Sequence, residues 1–265
     1  MEKKQIVPLG KWGQNYLIDK NIVHKIVAEF NPKIDDLVIE IGPGKGALTK
    51  LLSQKLKKFY AVEIDKRVIN ELKDSFPNLI LINKDFLEID LNGFIAHKQK
   101  IRIIGNIPYN LTSPIIFKLI EHREIINDAV LMVQYEVAKR IFAKPQTKEY
   151  GILSVLLNFF SETKFCFKVS ANVFRPKPKV DSAVIHIFLN KKLPEGIPPN
   201  LFIKTVKAAF GNRRKTLKNS FANSIYKEIK FDNIDFDLSR RAESLTVDEF
   251  ISITRFIANN AEKNN

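Results

Sequence analysis

The sequence predicts an α/β fold, a mostly parallel seven-stranded sheet followed by a small all-helical domain. Three observations carry this. The stretch Val38-Ile39-Glu40-Ile41-Gly42-Pro43-Gly44-Lys45-Gly46-Ala47-Leu48-Thr49 is an apolar run that turns at glycines into a helical pattern, the strand–loop–helix opening of a nucleotide-binding domain. Apolar runs then alternate with helical patterns through about residue 143. Strand signals cease after the proline-rich, charged stretch Lys191–Pro199, which reads as a linker. Residues 1–190 are therefore expected to form the sheet domain with an N-terminal extension, 191–199 a linker, and 200–265 a helical domain.

Taken in order, residues 1–18 are basic and glycine-punctuated. Asp19 can cap a helix whose Ile22, Val23, Ile26, Val27 and Phe30 share one face, ended by Asn31-Pro32. The first sheet strand spans about Leu37–Ile41, with a helix over 47–56. Phe59–Ile64, Leu79–Asn83, Ile101–Ile104 and about 129–133 are the next strands, separated by helices near 66–75 and 113–121, with another at 135–143. Residues 152–161 are apolar on every side; length favours a buried helix. Phe165–Val169 and Ser182–Leu189 read as antiparallel edge strands. Helices are expected over 200–210, 213–224 and 246–259, the last opened by a Thr246/Glu249 capping box.

The balance of 45% hydrophobic and 27% charged residues suits a globular chain with a substantial core. A formal net charge of +14 points to a polyanionic partner, nucleic acid before an anionic membrane, against a merely solvated basic surface. Residues 199–265 hold 12 basic and 8 acidic residues, so +4 lies there and +10 in residues 1–198, as for two domains lining one binding surface. Cys166 stands alone in an alternating apolar run and reads as a buried hydrophobe. No His pairs with Cys or another His at ligand spacing, so no metal is expected. No apolar run approaches a membrane span, and a soluble, cytoplasmic protein is expected.

The glycine spacing is G-x-G-x-G, not the G-x-G-x-x-G of dinucleotide enzymes, and Glu40 precedes it by two residues. An acid beside the loop suits a cation better than a phosphate, and this pattern is seen in enzymes that use S-adenosylmethionine (SAM). A tight strand–helix turn without a ligand would show the same glycines. Gly42 and Gly44 let a ligand approach the backbone. Glu63 lies 21 positions past Gly42, where α/β nucleotide folds put the carboxylate that accepts from both ribose hydroxyls. Asp85 at the next strand tip can accept from an adenine amino group while Phe86 packs on the ring, or serve only as turn chemistry.

Asn106-Ile107-Pro108-Tyr109 follows the fourth strand, on the same side of the crevice. This set suits methyl transfer to an exocyclic base amine. The adenine N6 lone pair is delocalised into the ring. An Asn oxygen and a backbone carbonyl that accept both N6 hydrogens release that pair for attack, and the Tyr face holds the base. Pro108 shapes the turn that sets these groups. Phe174, between Asn172 and Arg175-Pro176-Lys177-Pro178-Lys179, is expected to be exposed and to sandwich the base against Tyr109, unless it is core. Arg175, Lys177 and Lys179, with Lys11 in the N-terminal extension and Arg213, Arg214, Lys215 and Lys218 at the start of a helix, are candidates for RNA phosphates, against a solvated charged face.

These residues, together with Gly10-Lys11-Trp12-Gly13-Gln14-Asn15-Tyr16-Leu17, Val173-Phe174-Arg175-Pro176-Lys177-Pro178-Lys179-Val180-Asp181-Ser182, Arg213-Arg214-Lys215-Thr216-Leu217 and Arg241-Ala242-Glu243-Ser244-Leu245, resemble the small-subunit (16S-type) ribosomal RNA adenine-N6 dimethyltransferase family over about residues 8–257. The resemblance implies a Rossmann-like SAM-dependent methyltransferase domain plus a helical domain. It implies dimethylation of two adjacent adenosines in the 3′-terminal hairpin of small-subunit rRNA, late in assembly, by a monomer acting on a pre-30S-type particle. By position it gives Asn15, Leu17, Gly42, Glu63, Asp85 and Asn106 as cofactor contacts, and Asn106, Tyr109 and Phe174 as the target-base site. Ile107 and Tyr16 stand where the family commonly has Leu and Phe, both conservative changes. The large-subunit rRNA adenine methyltransferases of antibiotic resistance share the cofactor motifs and the Asn-x-Pro-Tyr site. The Arg-Arg-Lys-Thr-Leu and Arg-Ala-Glu-Ser-Leu segments favour the small-subunit group. Two further classes fit part of the pattern: an RNA-binding assembly factor, and a nicotinamide oxidoreductase, which the glycine spacing disfavours.

Overall fold

A computed structural model describes residues 15–95, 99–212, 214–231 and 233–261. Lys11, Arg213 and the Gly10–Gln14 part of the N-terminal motif lie outside them. The chain divides into two units, one running through Ala138 and resuming over Ser161–Asn190, the other made of Lys139–Phe160 and Lys191–Asn265.

In the first unit, β2 (Leu37–Ile41), β3 (Phe59–Val62), β4 (Leu79–Ile82), β5 (Ile101–Asn106) and β6 (Ile126–Gln134) are parallel, and β9 (Ser182–Phe188) runs antiparallel between β6 and β7 (Glu162–Val169). The seven-stranded order is β4-β3-β2-β5-β6-β9-β7. The chain moves outward from β2 to β4, then crosses back to place β5 on the other side of β2. A crevice therefore opens at the carboxyl ends of β2 and β5, where open α/β sheets take their ligands. The central strands are Val- and Ile-rich because both faces are covered; Val38, Ile39, Ile103, Ile104 and Val130 have no exposed surface.

Helix α1 (Lys20–Phe30) starts at Asp19, whose Oδ1 accepts from the Asn21 and Ile22 amides at 2.8 and 3.1 Å. It buries Val23, Ile26, Val27 and Phe30 in the core. α2 (Ala47–Ser53), α3 (Lys66–Leu72), α4 (Thr112–Glu121) and α5 (Tyr135–Ile141) each follow a strand tip. One element escaped the sequence reading. β1 (Tyr16–Leu17) pairs antiparallel with β8 (Phe174–Arg175), Tyr16 opposite Arg175 and Leu17 opposite Phe174. This ribbon binds the entry segment to the loop between β7 and β9.

β6 begins at Ile126, three residues before its apolar signal, because Asp128 is a buried carboxylate inside the strand. Lys139–Phe160 groups with the residues after 190, not with the sheet domain expected over 1–190. The reason is apolar: in α6 (Ile152–Phe160), Phe159 stacks on Phe202 of α7 (Pro199–Phe210) with centroids 3.7 Å apart. The second unit also holds α8 (Leu217–Ala222) and α9 (Val247–Ala261). The capping box forms, with the Thr246 amide donating to Glu249 Oε2 at 2.7 Å and the Glu249 amide to Thr246 Oγ1 at 3.3 Å. α8 starts at Leu217, so Arg214 and Lys215 precede the helix and do not open it as the sequence suggested. Among the described residues no helix is long and apolar enough to cross a membrane.

Candidate active site

Two adjoining clefts open at the carboxyl ends of β2, β3 and β5. The first, open to solvent, takes in about 790 Å³ of space and is lined by Asn15, Leu17, Glu40, Gly44, Asn106 and Tyr109, among others. The second, about 840 Å³, lies between Asp85, Phe86 and Leu87 on one side and Leu111 and Ile115 on the other. Gly42, Glu63, Ile64 and Pro108 line both, so the clefts form one curved groove hinged at the tips of β2 and β3.

The glycine loop is built for close approach. Gly42 and Gly44 have φ of +63° and +53°, a region L side chains seldom enter. A Cβ on Gly44 would stand 3.0 Å from the Tyr16 ring. Tyr16 in turn supports Lys45, whose ammonium lies 5.2 Å from the ring centroid. Glu63, 6% exposed, accepts from the Asp65 amide at 2.9 Å through Oε1 and from the Gly44 amide at 3.4 Å through Oε2. Burial raises its carboxyl above the usual range, against those backbone hydrogen bonds. Glu40 is buried outright, and burial lifts its carboxyl to about 8 despite a 2.8 Å hydrogen bond from Thr49 Oγ1. Two buried carboxyls facing one groove favour a cationic occupant.

At the tip of β5 the Asn106 amide is oriented by the entry segment. Its Nδ2 donates to the Asn15 carbonyl at 2.9 Å, which fixes the side-chain flip and turns Oδ1 away as an acceptor. Among the described residues nothing donates to that oxygen. The Pro108 carbonyl is already taken by the Leu111 amide at 2.9 Å, whereas the Ile107 carbonyl accepts no hydrogen bond among the described residues. Asn106 Oδ1 and the Ile107 carbonyl are thus the two open acceptors of the turn, and Pro108 shapes it. Tyr109, half-buried, is held by a 2.7 Å hydrogen bond between its hydroxyl and Ser182 Oγ. Burial raises the phenol further above its usual range, so it stays neutral. The β5 strand can approach β2 this closely only because residue 105 is glycine: a Cβ there would lie 2.7 Å from the Ile41 carbonyl oxygen.

Asp85 lines the second cleft, with its Oδ1 capping the Leu87 amide at 2.9 Å. Phe86 beside it is 5% exposed. The glycine loop, Glu63, Asp85, Phe86, Asn15, Leu17, Asn106, Pro108 and Tyr109 are therefore brought together on the groove, though far apart in sequence. Phe174 is not among them. It was expected as an exposed stacking partner, yet it has no exposed surface and packs in the core with Leu17, Val169 and Val184. Pairing of β8 with β1 turns it inward. Arg175, Lys177 and Lys179 are exposed on the same loop, with the Arg175 guanidinium donating to the Phe174 carbonyl at 3.0 Å. In the second unit Arg214, Lys215 and Lys218 are exposed, whereas the Arg-Ala-Glu-Ser-Leu segment has structural contacts: the Leu245 carbonyl accepts from Tyr150 Oη at 2.8 Å.

Sequence reasoning missed Gly105, Ser182 and Thr49 as supports of this site. Glycine in a buried strand just before Asn106 was the available signal for the first; Ser182 and Thr49 give none apart from their distant partners. Among the described residues no group of three or more His, Cys, Asp or Glu could hold a metal ion.

Comparison with known proteins gives a family model described as "Ribosomal RNA adenine dimethylase", which matches residues 10–259. The chain is 45% identical over 251 residues to ribosomal RNA small subunit methyltransferase A of Chlorobium phaeobacteroides, covering 94% of this chain and 91% of that one. It is 40% identical to the protein of the same name from Fusobacterium nucleatum, covering 92% and 96%. A dimethyladenosine transferase from Plasmodium falciparum is structurally similar, with a TM-score of 0.76, 26% identity and coverage of 92% and 98%. The 23S rRNA methyltransferase ErmE is also similar, with a TM-score of 0.65, 25% identity and coverage of 91% and 98%.

Proposed function

The chain belongs to the ribosomal RNA adenine dimethylase family and is an rRNA adenine dimethyltransferase, and from that premise we propose its cofactor seat, target and setting. The cofactor is SAM, lying along the two clefts. The target is N6 of two adjacent adenosines in the 3′-terminal hairpin of small-subunit rRNA, modified in the cytoplasm on a late pre-30S-type particle by a monomer.

The residues fit that cofactor. The positive-φ Gly42 and Gly44 clear the groove, Glu63 offers buried carboxylate oxygens for ribose hydroxyls, and Asp85 with Phe86 forms a slot for an adenine. Burial holds Glu40 and Glu63 toward their neutral forms, and a bound sulfonium and ammonium draw them toward the charged forms that complement a cation. Bound there, SAM supplies a methyl group already activated by positive sulfur.

The chain's own work is positioning and electrostatics. The observation that carries the reading is the Asn106 amide pinned to the Asn15 carbonyl. Its Oδ1 and the Ile107 carbonyl accept the two hydrogens of the adenine amine, so the nitrogen lone pair leaves conjugation with the ring. Tyr109, fixed by Ser182, offers its ring as a stacking face for the flipped base. No strong base is needed, because the amine sheds its proton after it has gained the methyl. Arg175, Lys177, Lys179, Arg214, Lys215 and Lys218 meet RNA phosphates.

Methyl-labelled SAM, offered with small and large subunits from a strain lacking this protein, tests the proposal. Dimethyladenosine in small-subunit rRNA, identified by mass spectrometry, is expected. Label confined to large-subunit rRNA would replace the proposed target with that of the resistance enzymes.

A further inference from the structure

Lys118 is a half-buried charged residue whose hydrogen bonds go to backbone carbonyls and not to a carboxylate. It lies on α4, one turn past Ile115, on the face that walls the second cleft. Its ammonium is part-buried and turned to the backbone. It donates to the Leu87 carbonyl at 2.8 Å and the Ile89 carbonyl at 2.5 Å, and lies 5.7 Å from the centroid of the Phe86 ring. Among the described residues no carboxylate is in ion-pair contact with it. Burial lowers its pKa, partly countered by Glu121, Asp90 and Asp85. A lysine partly desolvated against two neutral carbonyls carries some cost that a neutral residue would avoid.

What it holds is the short 3₁₀ turn Phe86–Glu88 that follows Asp85. The peptide groups there are fixed from two directions. The Leu87 amide donates to Asp85 Oδ1 at 2.9 Å, and the Leu87 carbonyl accepts from Lys118. Removing the ammonium frees the carbonyl side, and with it the orientation of both the Asp85 carboxylate and the Phe86 ring. α4 itself begins at Thr112, directly after the Asn106–Leu111 turn, so the clamp joins the wall of the second cleft to the helix that issues from the first.

We propose that Lys118 is a positioning residue for the cofactor: it clamps residues 85–89 in the shape that receives the adenine, and so sets affinity for the adenosine half of SAM. This rests on the cofactor reading above. It assigns Lys118 no contact with SAM and no part in methyl transfer.

The test compares wild type with Lys118→Met, which keeps the alkyl chain and removes the ammonium, and with Lys118→Arg, which keeps a donor. Calorimetry with SAM and with 5′-methylthioadenosine, which lacks the amino-acid moiety, reads affinity; steady-state methylation of small subunits reads KM and kcat. For Lys118→Met both Kd values rise about tenfold, KM for SAM rises in step, and kcat and KM for the subunit stay within twofold. Lys118→Arg recovers most of the loss. Unchanged Kd for both ligands in Lys118→Met overturns the proposal, as does a fall in kcat without a change in KM for SAM. If Lys118→Met does not melt cooperatively, Lys118→Gln replaces it, and there a Kd within twofold of wild type overturns the proposal. Failure of wild type to bind SAM at all would instead sink the cofactor reading.

Discussion

The two ends of strand β5 treat polar groups in opposite ways. At its start, Arg102 donates to Asp128 at 2.7 Å through Nε and again through Nη2, to Asp36 at 2.7 Å and to the Phe30 carbonyl at 2.6 Å. Asp128 Oδ2 also faces His186 Nε2 at 2.8 Å, and His186 Nδ1 faces Glu29 at 3.0 Å. Burial would raise the Asp128 carboxyl, but hydrogen bonds from Arg102 and His186 outweigh it and hold the pKa below the usual range. This network ties α1 to β5, β6 and β9. Four residues on, at the tip of the same strand, Asn106 uses one side of its amide and leaves the other open, next to the open Ile107 carbonyl. Glu40, nearby, is a buried acid left far from its ordinary pKa. One end spends every donor and acceptor on holding the fold; the other keeps acceptors in reserve for a ligand. Stability and function are thus separated by the length of one strand, and mutations can pull them apart.

The largest effect is expected at the satisfied end. Asp128→Ala leaves the Arg102 guanidinium with Asp36 and the Phe30 carbonyl but without its most buried partner, and leaves His186 facing Glu29 alone. Breaking a buried pair from one side costs about 3–5 kcal/mol, which chemical denaturation would read, while methylation per folded molecule stays near wild type. A comparable loss of activity below the melting range would show that the two ends are coupled. The sign of the pH effect follows from the lowered Asp128 pKa: its contribution is present above the unfolded carboxyl value and is lost as pH falls through the folded one.

At the open end, Glu63→Ala removes acceptors for the ribose. SAM binding should weaken by roughly 1–3 kcal/mol, read by calorimetry, with little change in RNA affinity. Equal SAM affinity would remove Glu63 from the cofactor site.

Glu40 gives a smaller, graded effect. Its carboxyl is neutral below about 8 in the free protein, and a cationic ligand favours the charged form. SAM affinity should therefore climb as pH approaches that value and level off above it, by less than about tenfold per pH unit. The same raised pKa makes the free protein lose stability as pH rises from the ordinary carboxyl range toward about 8. Glu40→Gln should flatten both profiles relative to wild type, and parallel profiles for the two proteins would contradict the assignment.

The open end was the more legible in the sequence, because its residues lie in local motifs. Glycine spacing, the distance from Gly42 to Glu63 and the Asn106–Tyr109 turn each carry their chemistry within a few positions. The seven strands and the mostly parallel character of the sheet followed from the alternation of patterns, including the antiparallel pair β9 and β7, whereas the strand order was not legible. The satisfied end was silent. Arg102, Asp128 and His186 are 26 and 58 positions apart, and a charge inside an apolar run lowers a strand signal unless its partner is known. Phe174 misled for a similar reason. Its basic, proline-rich neighbours suggest exposure, whereas its burial is decided by Leu17, far away on β1. Asn106 was found, but the carbonyl that orients it belongs to Asn15, 91 positions earlier.

The claim that function rests on the acceptors left open at the tip of β5 is tested most directly by Asn106→Ala, with single-turnover methylation of purified small subunits, SAM affinity and thermal stability measured on one preparation. The expected result is a rate loss of about 10²–10³-fold, of the order seen when one preorganised polar group is removed, with Tm within a few degrees of wild type and SAM affinity within an order of magnitude. A near-wild-type rate, or a rate that falls only as far as SAM affinity does, would contradict it.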